Sequence, residues 1–397
     1  DAQESRGLGD VYKRQPERFT LYFLLKRKLP FYTYLLIFIR FFSRMISVVQ
    51  GGKNMSEITR VALDAMGGDN APGEIVKGAV EAVQRRDDIK ILLTGKEEVL
   101  KKELSAYTYP KERIEIVNAT EVIETAEPPV KAIRGKKDSS IVVAMKMVKK
   151  GEADAFVSAG SSGAVLVGGQ VLVGRIKGVE RPPLAPLIPT LKGVSLLIDC
   201  GANVDARPSH LVQFARMGSI YMESVMGKKN PTVGIVNIGA EEEKGNALVK
   251  ETFPLLKECS DINFIGSVEA RDIPYGVADV IVCEAFAGNI ILKLYEGVAG
   301  GLMKKVKEGM MSSLRSKIGA LLVKPALKKV LKDFDTSNHG GAPLLGLNGL
   351  VVKTHGSSKS TEICNSIIQC VTFKEQKINE KIREAIQQEV VEEKEEK

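Results

Sequence analysis

The chain has 397 residues, of which 44% are hydrophobic and 27% charged. That composition excludes disorder, a collagen-like fibre and a disulfide-stapled miniprotein, and the length admits one large α/β domain or two smaller ones. The formal charge of +8 is uneven: residues 1–54 hold ten Lys/Arg against four Asp/Glu, leaving +2 for the rest, so a globally basic nucleic-acid binder is excluded.

Residues 1–54 also carry ten of the 22 aromatics. Their longest uncharged run, Leu29 to Ile39, is 11 residues, short of the roughly 20 that span a bilayer. We read this segment as a non-native or unstructured leader ahead of a start at Met55, with a membrane-surface anchor as the other reading, and exclude it from fold reasoning.

From Met55 a pattern repeats: short apolar run, glycine-bearing turn, amphipathic stretch. Arg60–Asp64 reads as a strand and residues 65–72 as a loop. Ile75, Val76, Ala79, Val80 and Val83 have helical spacing, with Pro72 suited to the first turn. Lys90–Thr94 and Arg113–Val117 are further strands, and Ser139 can cap a helix running to Lys150. Strands over 155–158, 194–199, 232–237 and 279–283 each lead into a loop containing glycine. Strands alternating with helices imply a mostly parallel sheet covered on both faces, whose site lies at the carboxyl ends of the strands.

The organisation expected is an α/β catalytic domain over 55–373 and a charged helix and tail over 374–397. Within the domain, 303–335 forms a basic amphipathic helical insertion, split into two helices by Pro325. Residues 303–332 hold nine Lys/Arg against one acid, Glu308, with apolar residues interleaved. Such a helix pair either dimerises with its lysines solvated or lies on an anionic membrane through Leu321 and Leu322, with Lys324, Lys328 and Lys329 among the headgroups.

The five cysteines form no CxxC pair and only three histidines are present, so no zinc spacing exists and the thiols read as reduced. No loop carries the Lys-Ser/Thr ending of a nucleotide P-loop or a GxGxxG fingerprint, which argues against an NTPase or a dinucleotide enzyme. The glycine loops instead offer backbone N–H groups to an oxyanion. Gly67, Gly68, Gly160, Ser161, Ser162, Gly163 and Asn203 are the candidate phosphate ligands. Lys244 either holds a phosphate or developing oxyanion or is a solvated partner of Glu241–Glu243. Asn289 either donates to a carbonyl oxygen or caps the helix from Ile290. His210, His339 and His355 are each a structural histidine or an acid or donor. No GxSxG elbow and no reactive-looking cysteine appear, against a covalent acyl-enzyme.

Taken in order, the loops resemble one family, the bacterial phosphate acyltransferases of phospholipid synthesis (the PlsX family). The matching stretches are Asp64-Ala-Met-Gly-Gly-Asp-Asn-Ala-Pro72, Ser158-Ala-Gly-Ser-Ser-Gly-Ala164, Gly174–Gly178 with Arg181-Pro182, and Gly201-Ala-Asn-Val-Asp205. They continue with His210–Ala215, Glu269-Ala-Arg-Asp272, Gly340-Gly-Ala-Pro343 and His355-Gly-Ser-Ser358. The chain departs at Ser161 and Ser162, where the family usually has Asn-Thr, and in Ala285-Phe-Ala-Gly-Asn289, where it usually has Gly-Phe-Thr-Gly-Asn.

The resemblance implies a three-layer α/β/α sandwich similar to phosphotransacetylases and isopropylmalate dehydrogenases. It implies transfer of a fatty acyl group from an acyl carrier protein thioester to inorganic phosphate, with no cofactor. It further implies a cytoplasmic homodimer attached peripherally to the membrane. On that basis Lys244 is assigned to phosphate or oxyanion charge, Asn289 to the carbonyl, and His210 and His355 to orientation. A short-chain phosphate acyltransferase using acyl-CoA and a non-catalytic phosphate-ligand or membrane-docking module are the alternatives.

Overall fold

A computed structural model of the chain describes residues 57–334 and 336–395, so the leader assigned to 1–54 lies outside the described residues. The alternation of strand and helix is carried by two sheets rather than one. The first has the order β10–β11–β4–β1–β2–β3, made of β1 (Thr59–Asp64), β2 (Ile89–Gly95), β3 (Ile114–Asn118), β4 (Ala155–Ser158), β10 (Ala342–Pro343) and β11 (Leu350–Lys353). All its pairs are parallel except β10 with β11. The second has the order β5–β6–β9–β7–β8, from β5 (Leu187–Thr190), β6 (Gly193–Ile198), β7 (Thr232–Asn237), β8 (Asn263–Glu269) and β9 (Val280–Val282). Only β5 runs antiparallel to its neighbour.

Burial on both faces makes the three layers. In β1, Val61 and Leu63 enter one core layer with Ile75, Val76 and Val80 of α1 (Gly73–Arg85) and Ile363 and Ile367 of α10 (Ser360–Glu375). Ala62 enters the opposite layer with Ile141 and Met145 of α4 (Ser140–Lys149). Two short helices, α2 (Glu97–Leu104) and α3 (Pro129–Gly135), lie between α1 and α4 in the chain. Each fully buried aliphatic side chain contributes about 1.5–3 kcal/mol. In the second sheet Leu196 and Ile198 pack with α6 (Pro208–Ser224), while Leu197 packs with the base of α8 (Ala285–Met310). Tyr221 of α6 meets Phe373 of α10 edge to face at 5.5 Å, tying the two halves through one core.

Strands β1 to β4, β6, β7 and β9 stand where the apolar runs place them. The sequence pattern does not reveal β5, β8, β10 or β11. β10 is two residues long, and edge strand β8 is mostly half-exposed, so neither shows an apolar run. Ser139 does sit at the cap position of α4, but its hydroxyl donates to the Lys136 carbonyl at 2.8 Å instead of accepting from the helix.

The helical insertion differs in its joint. α8 ends at Met310 and α9 (Leu314–Asp333) continues through Pro325. The break falls at Ser312–Ser313, where the Ser313 hydroxyl accepts the Ser316 N–H and starts the second helix. The tail is also better anchored than a charged tail suggests. In α11 (Ile378–Glu395), Ile378, Ile382 and Ile386 recur every fourth residue and are fully buried against the core.

Candidate active site

Loops from both sheets meet around a cavity of about 810 Å³. The first sheet contributes Ser162 after β4 and Lys353, Thr354 and His355 at the end of β11. The second contributes Cys200 and Gly201 after β6 and Phe286 and Asn289 at the start of α8. Leu184, Ile188, Val204 and Leu292 supply apolar wall. A volume in this range, mostly apolar with a few convergent polar groups, is the ordinary form of a small-molecule site.

A buried hydrogen-bond chain fixes the first-sheet loops. Gly160 N–H donates to Ser158 Oγ at 2.9 Å, and Ser158 Oγ–H donates to Asp64 Oδ2 at 2.6 Å. Met66 N–H donates to Asp64 Oδ1 at 3.2 Å. Burial pushes the Asp64 carboxyl above the ordinary aspartate range, opposed by these donors. Gly67 must be glycine, since a Cβ there would sit 2.7 Å from the Gly160 Cα. The two candidate phosphate loops therefore touch backbone to backbone. Gly68 lies next to Ala159 and to the Gly356 carbonyl, which accepts Asp69 N–H at 2.8 Å.

Not every candidate phosphate ligand is available. Ser161 is buried and its hydroxyl accepts Ala164 N–H, capping α5 (Ser162–Gly168). Ser162 is exposed and lines the cavity. Gly163 lines a second hollow of about 430 Å³ beside Pro129. Asn203 is a correction: its side-chain amide donates to the Pro182 carbonyl at 3.0 Å and to Asp199 Oδ2 at 2.8 Å. The amide is thus spent on the Pro182 carbonyl and on the buried Asp199, which also accepts from Leu184 and Ala202 N–H.

On the second-sheet side α8 begins hard against β6. Glu284 caps it by accepting Ala287 N–H at 2.9 Å, so Asn289 is not the cap. A Cβ on Gly288 would come within 1.9 Å of the Asp199 carbonyl oxygen, so only glycine allows this approach. Asn289, one residue on, is exposed and lines the cavity. Lys244 is not among the residues lining the cavity. It is half-exposed and paired with Glu241 at 2.8 Å, and that carboxylate holds its ammonium above the usual lysine range.

The histidines separate. His210 is buried, accepts Arg207 N–H on Nδ1 at 3.1 Å and donates from Nε2 to Glu180 at 3.0 Å. Burial pulls its pKa below the ordinary value. One nitrogen is committed to the start of α6 and the other to Glu180, and neither His210 nor Glu180 lines the cavity, so orientation of substrate is corrected to a structural post. His355 does line the cavity, with Nδ1 held by Ser357 Oγ at 2.8 Å. His339, at the end of a short 3-10 turn over Thr336–His339, is exposed and absent from the cavity lining.

Three comparisons bear on this arrangement. A family profile described as "Fatty acid synthesis protein" matches residues 59–381. The chain belongs to this family, the phosphate acyltransferases. It is 50% identical over 332 residues to the phosphate acyltransferase of Clostridium novyi (strain NT), covering 84% of this chain and 100% of that protein. It is 52% identical over 327 residues to the one from Alkaliphilus oremlandii (strain OhILAs), covering 82% and 97%. Among solved structures, a phosphotransacetylase from Streptococcus pyogenes aligns with a TM-score of 0.55 at 17% identity, over 83% of this chain and 99% of that one. At that identity the likeness speaks for the fold.

Within this acyltransferase fold, sequence reasoning missed Lys353 and Thr354. Lys353 ends β11 and is 8% exposed. Its ammonium donates to the Ala159 carbonyl at 3.3 Å and to the Thr354 carbonyl. The signal was present as a lysine closing an apolar run, Leu350-Val-Val-Lys353, just before the His355 loop. A cation at the end of a buried strand is rare without a purpose.

Proposed function

We propose that this protein transfers a fatty acyl group from an acyl carrier protein thioester to inorganic phosphate, releasing acyl phosphate for phospholipid synthesis. The observation that carries this reading is the composite cavity: the glycine-rich strand ends of one sheet face the Asn289 helix start of the other across apolar wall. One half suits a small oxyanion and the other a hydrocarbon chain.

The chemistry asks little of the protein beyond placement. A phosphate oxygen attacks the thioester carbon, the C–O bond forms, the C–S bond breaks, and the carrier thiol leaves. Inorganic phosphate is already substantially dianionic near neutral pH. The thiol has an unperturbed pKa of about 8.5, so neither a strong base nor a strong acid is needed. Positioning and oxyanion stabilisation remain. Asn289, on the cavity wall, is the donor assigned here to the carbonyl oxygen. Lys244 is held only by an exposed ion pair, worth about 0–1 kcal/mol, and is readily recruited to a bound anion. Burial pushes the Cys200 thiol up, which suits a wall residue and not a nucleophile.

The arm formed by α8 and α9 supports the finer parts of the proposal. Phe286, Ile290, Leu294, Val298 and Leu302 are exposed at four-residue spacing along α8, a stripe suited to a second copy of this chain. On α9, Leu314, Ile318, Leu321 and Leu322 are exposed, and Lys324, Lys328 and Lys329 follow. That face suits an anionic membrane surface, and its charge would draw an acidic carrier protein. No helix among the described residues is long and apolar enough to cross a membrane.

The deciding experiment incubates purified protein with fatty acyl carrier protein and phosphate, trapping acyl phosphate with hydroxylamine. Phosphate-dependent release of free carrier thiol together with hydroxamate is expected. Release from acyl-CoA alone would redirect the reading to a short-chain enzyme. No phosphate-dependent release from either donor would leave a binding module.

A further inference from the structure

Lys353 and Thr354 bring a buried charge and a buried hydroxyl together at one strand end. The Lys353 side chain is enclosed, yet among the described residues no carboxylate lies within ion-pairing distance of its ammonium. Its partners are two carbonyl oxygens, Ala159 and Thr354. Ala159 is the residue just before Gly160, so the lysine is strapped to the loop that meets Gly67. Beside it, Thr354 is 1% exposed and its hydroxyl has no hydrogen-bond partner among the described residues. Both residues line the cavity, with Ser162 and His355 nearby on the same wall.

A buried cation that meets carbonyls directly, and feels Glu362, Asp64 and Asp69 only from beyond ion-pairing distance, and a buried hydroxyl without a partner among the described residues are each unfavourable alone. Next to each other at the end of a strand, facing one cavity, they fit an anion with several acceptor oxygens. A phosphate dianion supplies both the missing charge and the missing acceptor. Carbonyl contacts hold the ammonium in place beforehand, so little side-chain freedom is lost on binding.

We propose that Lys353 and Thr354 are the principal phosphate ligands of this cavity, the ammonium giving the countercharge and the hydroxyl a directed hydrogen bond. The assignment rests on reading the cavity as a phosphate-dependent acyltransferase site. It gives the glycine loops around Gly67 and Gly160 the part of shaping the pocket that the lysine charges. With Lys353 under the nucleophile and Asn289 on the opposite sheet, attacking and accepting groups are held by different halves of the fold.

The test measures binding of inorganic phosphate to the full-length protein without an acyl donor, by calorimetry, for wild type, K353M, K353Q and T354V. The same proteins are then assayed for the KM of phosphate at saturating acyl donor. Loss of a hydrogen bond to a charged group predicts about a ten- to hundredfold weaker Kd for the Lys353 variants, and a several-fold change for T354V. KM for phosphate should rise in step, while KM for the acyl donor should not move. Unchanged phosphate Kd in a folded K353M or K353Q protein overturns the proposal, and unchanged Kd in T354V overturns its hydroxyl half. If wild type binds phosphate through Lys353 but forms no acyl phosphate, the ligand assignment stands and the acyltransferase reading falls. If acyl phosphate forms with normal phosphate KM in both Lys353 variants, the reverse holds.

Discussion

At the ends of β1, β4 and β11 polar groups are buried and tied together: Gly160, Ser158 and Asp64 form one hydrogen-bond chain, and Lys353 reaches back to Ala159. At the end of β7 the loop is open, with Lys244 half-exposed and resting on the equally exposed Glu241. The first region therefore holds a positive charge in place before any ligand arrives. The second keeps one in reserve on a solvated loop, where displacing its partner costs about 1 kcal/mol or less. On the proposed reading the preorganised charge binds the anion and the solvated one is recruited to it, a contrast that the two lysines' variants test.

The largest effects should come from the groups proposed to act on the reacting carbonyl and the incoming anion. Asn289→Ala is expected to lower turnover about a hundredfold, as loss of one oxyanion donor does, with circular dichroism and Tm unchanged. Lys244→Ala is expected to lose a similar factor, because a recruited lysine acts only once substrate is bound. Phosphate affinity without acyl donor should then survive Lys244→Ala, in contrast to the Lys353 variants. If Lys244→Ala turns over normally, the open loop is a solvated surface and the comparison collapses to one active lysine.

Much of this was legible beforehand. The alternating strands and helices and the loops at strand ends follow from apolar spacing and glycine-bearing turns, and the family resemblance from the order of motifs such as Asp64–Pro72 and His355–Ser358. Asn289 and His355 were picked from motifs and do line the cavity. What spacing could not show was partnership. Asn203 and His210 carry the right chemistry, but their donors and acceptors are consumed by Asp199, Arg207 and Glu180, partners 3 to 30 residues away whose geometry only the fold sets. Lys353 escaped notice for the converse reason: a lysine ending a short strand looks solvated until the fold encloses it and brings the Ala159 carbonyl to its ammonium. The insertion was legible in charge but not in its joint, since Pro325 is tolerated within α9 and Ser313 starts it.

A smaller effect tests the burial of Lys353 directly. Desolvation lowers its pKa from the usual 10.5 to about 8, opposed by Glu362 of α10, Asp64 of β1 and Asp69, and assisted by Lys293 of α8. The folded state thus binds the proton less tightly than the unfolded chain. A stability penalty is present below about pH 8 and is relieved as pH rises toward 10.5. At about 1.4 kcal/mol per pKa unit, that penalty is at most about 3.5 kcal/mol. Urea unfolding of wild type and K353M at pH 7 and pH 10 should show the wild type gaining on the variant by up to that amount. Parallel pH profiles for the two proteins would mean that Lys353 is solvated after all, and would erase the contrast with Lys244.

The smallest effect separates structure from catalysis at His210. Its Nδ1 takes the Arg207 N–H that begins α6, its Nε2 holds Glu180, and its ring lies 6.5 Å from Phe214. Replacement by alanine removes a helix-start hydrogen bond worth about 0.5–2 kcal/mol and leaves turnover and both KM values as in wild type. Because burial is the largest cause of its shift and lowers its folded pKa, the unfolded chain takes up the proton first as pH falls. The stability His210 contributes is therefore full above the unfolded pKa of about 6.5 and declines as pH drops from there through the folded value. His210→Ala should cost about 1 kcal/mol in urea unfolding at pH 8 and less at pH 5. A fall in turnover with no change in unfolding would return the residue to the reaction and place the start of α6 within the site.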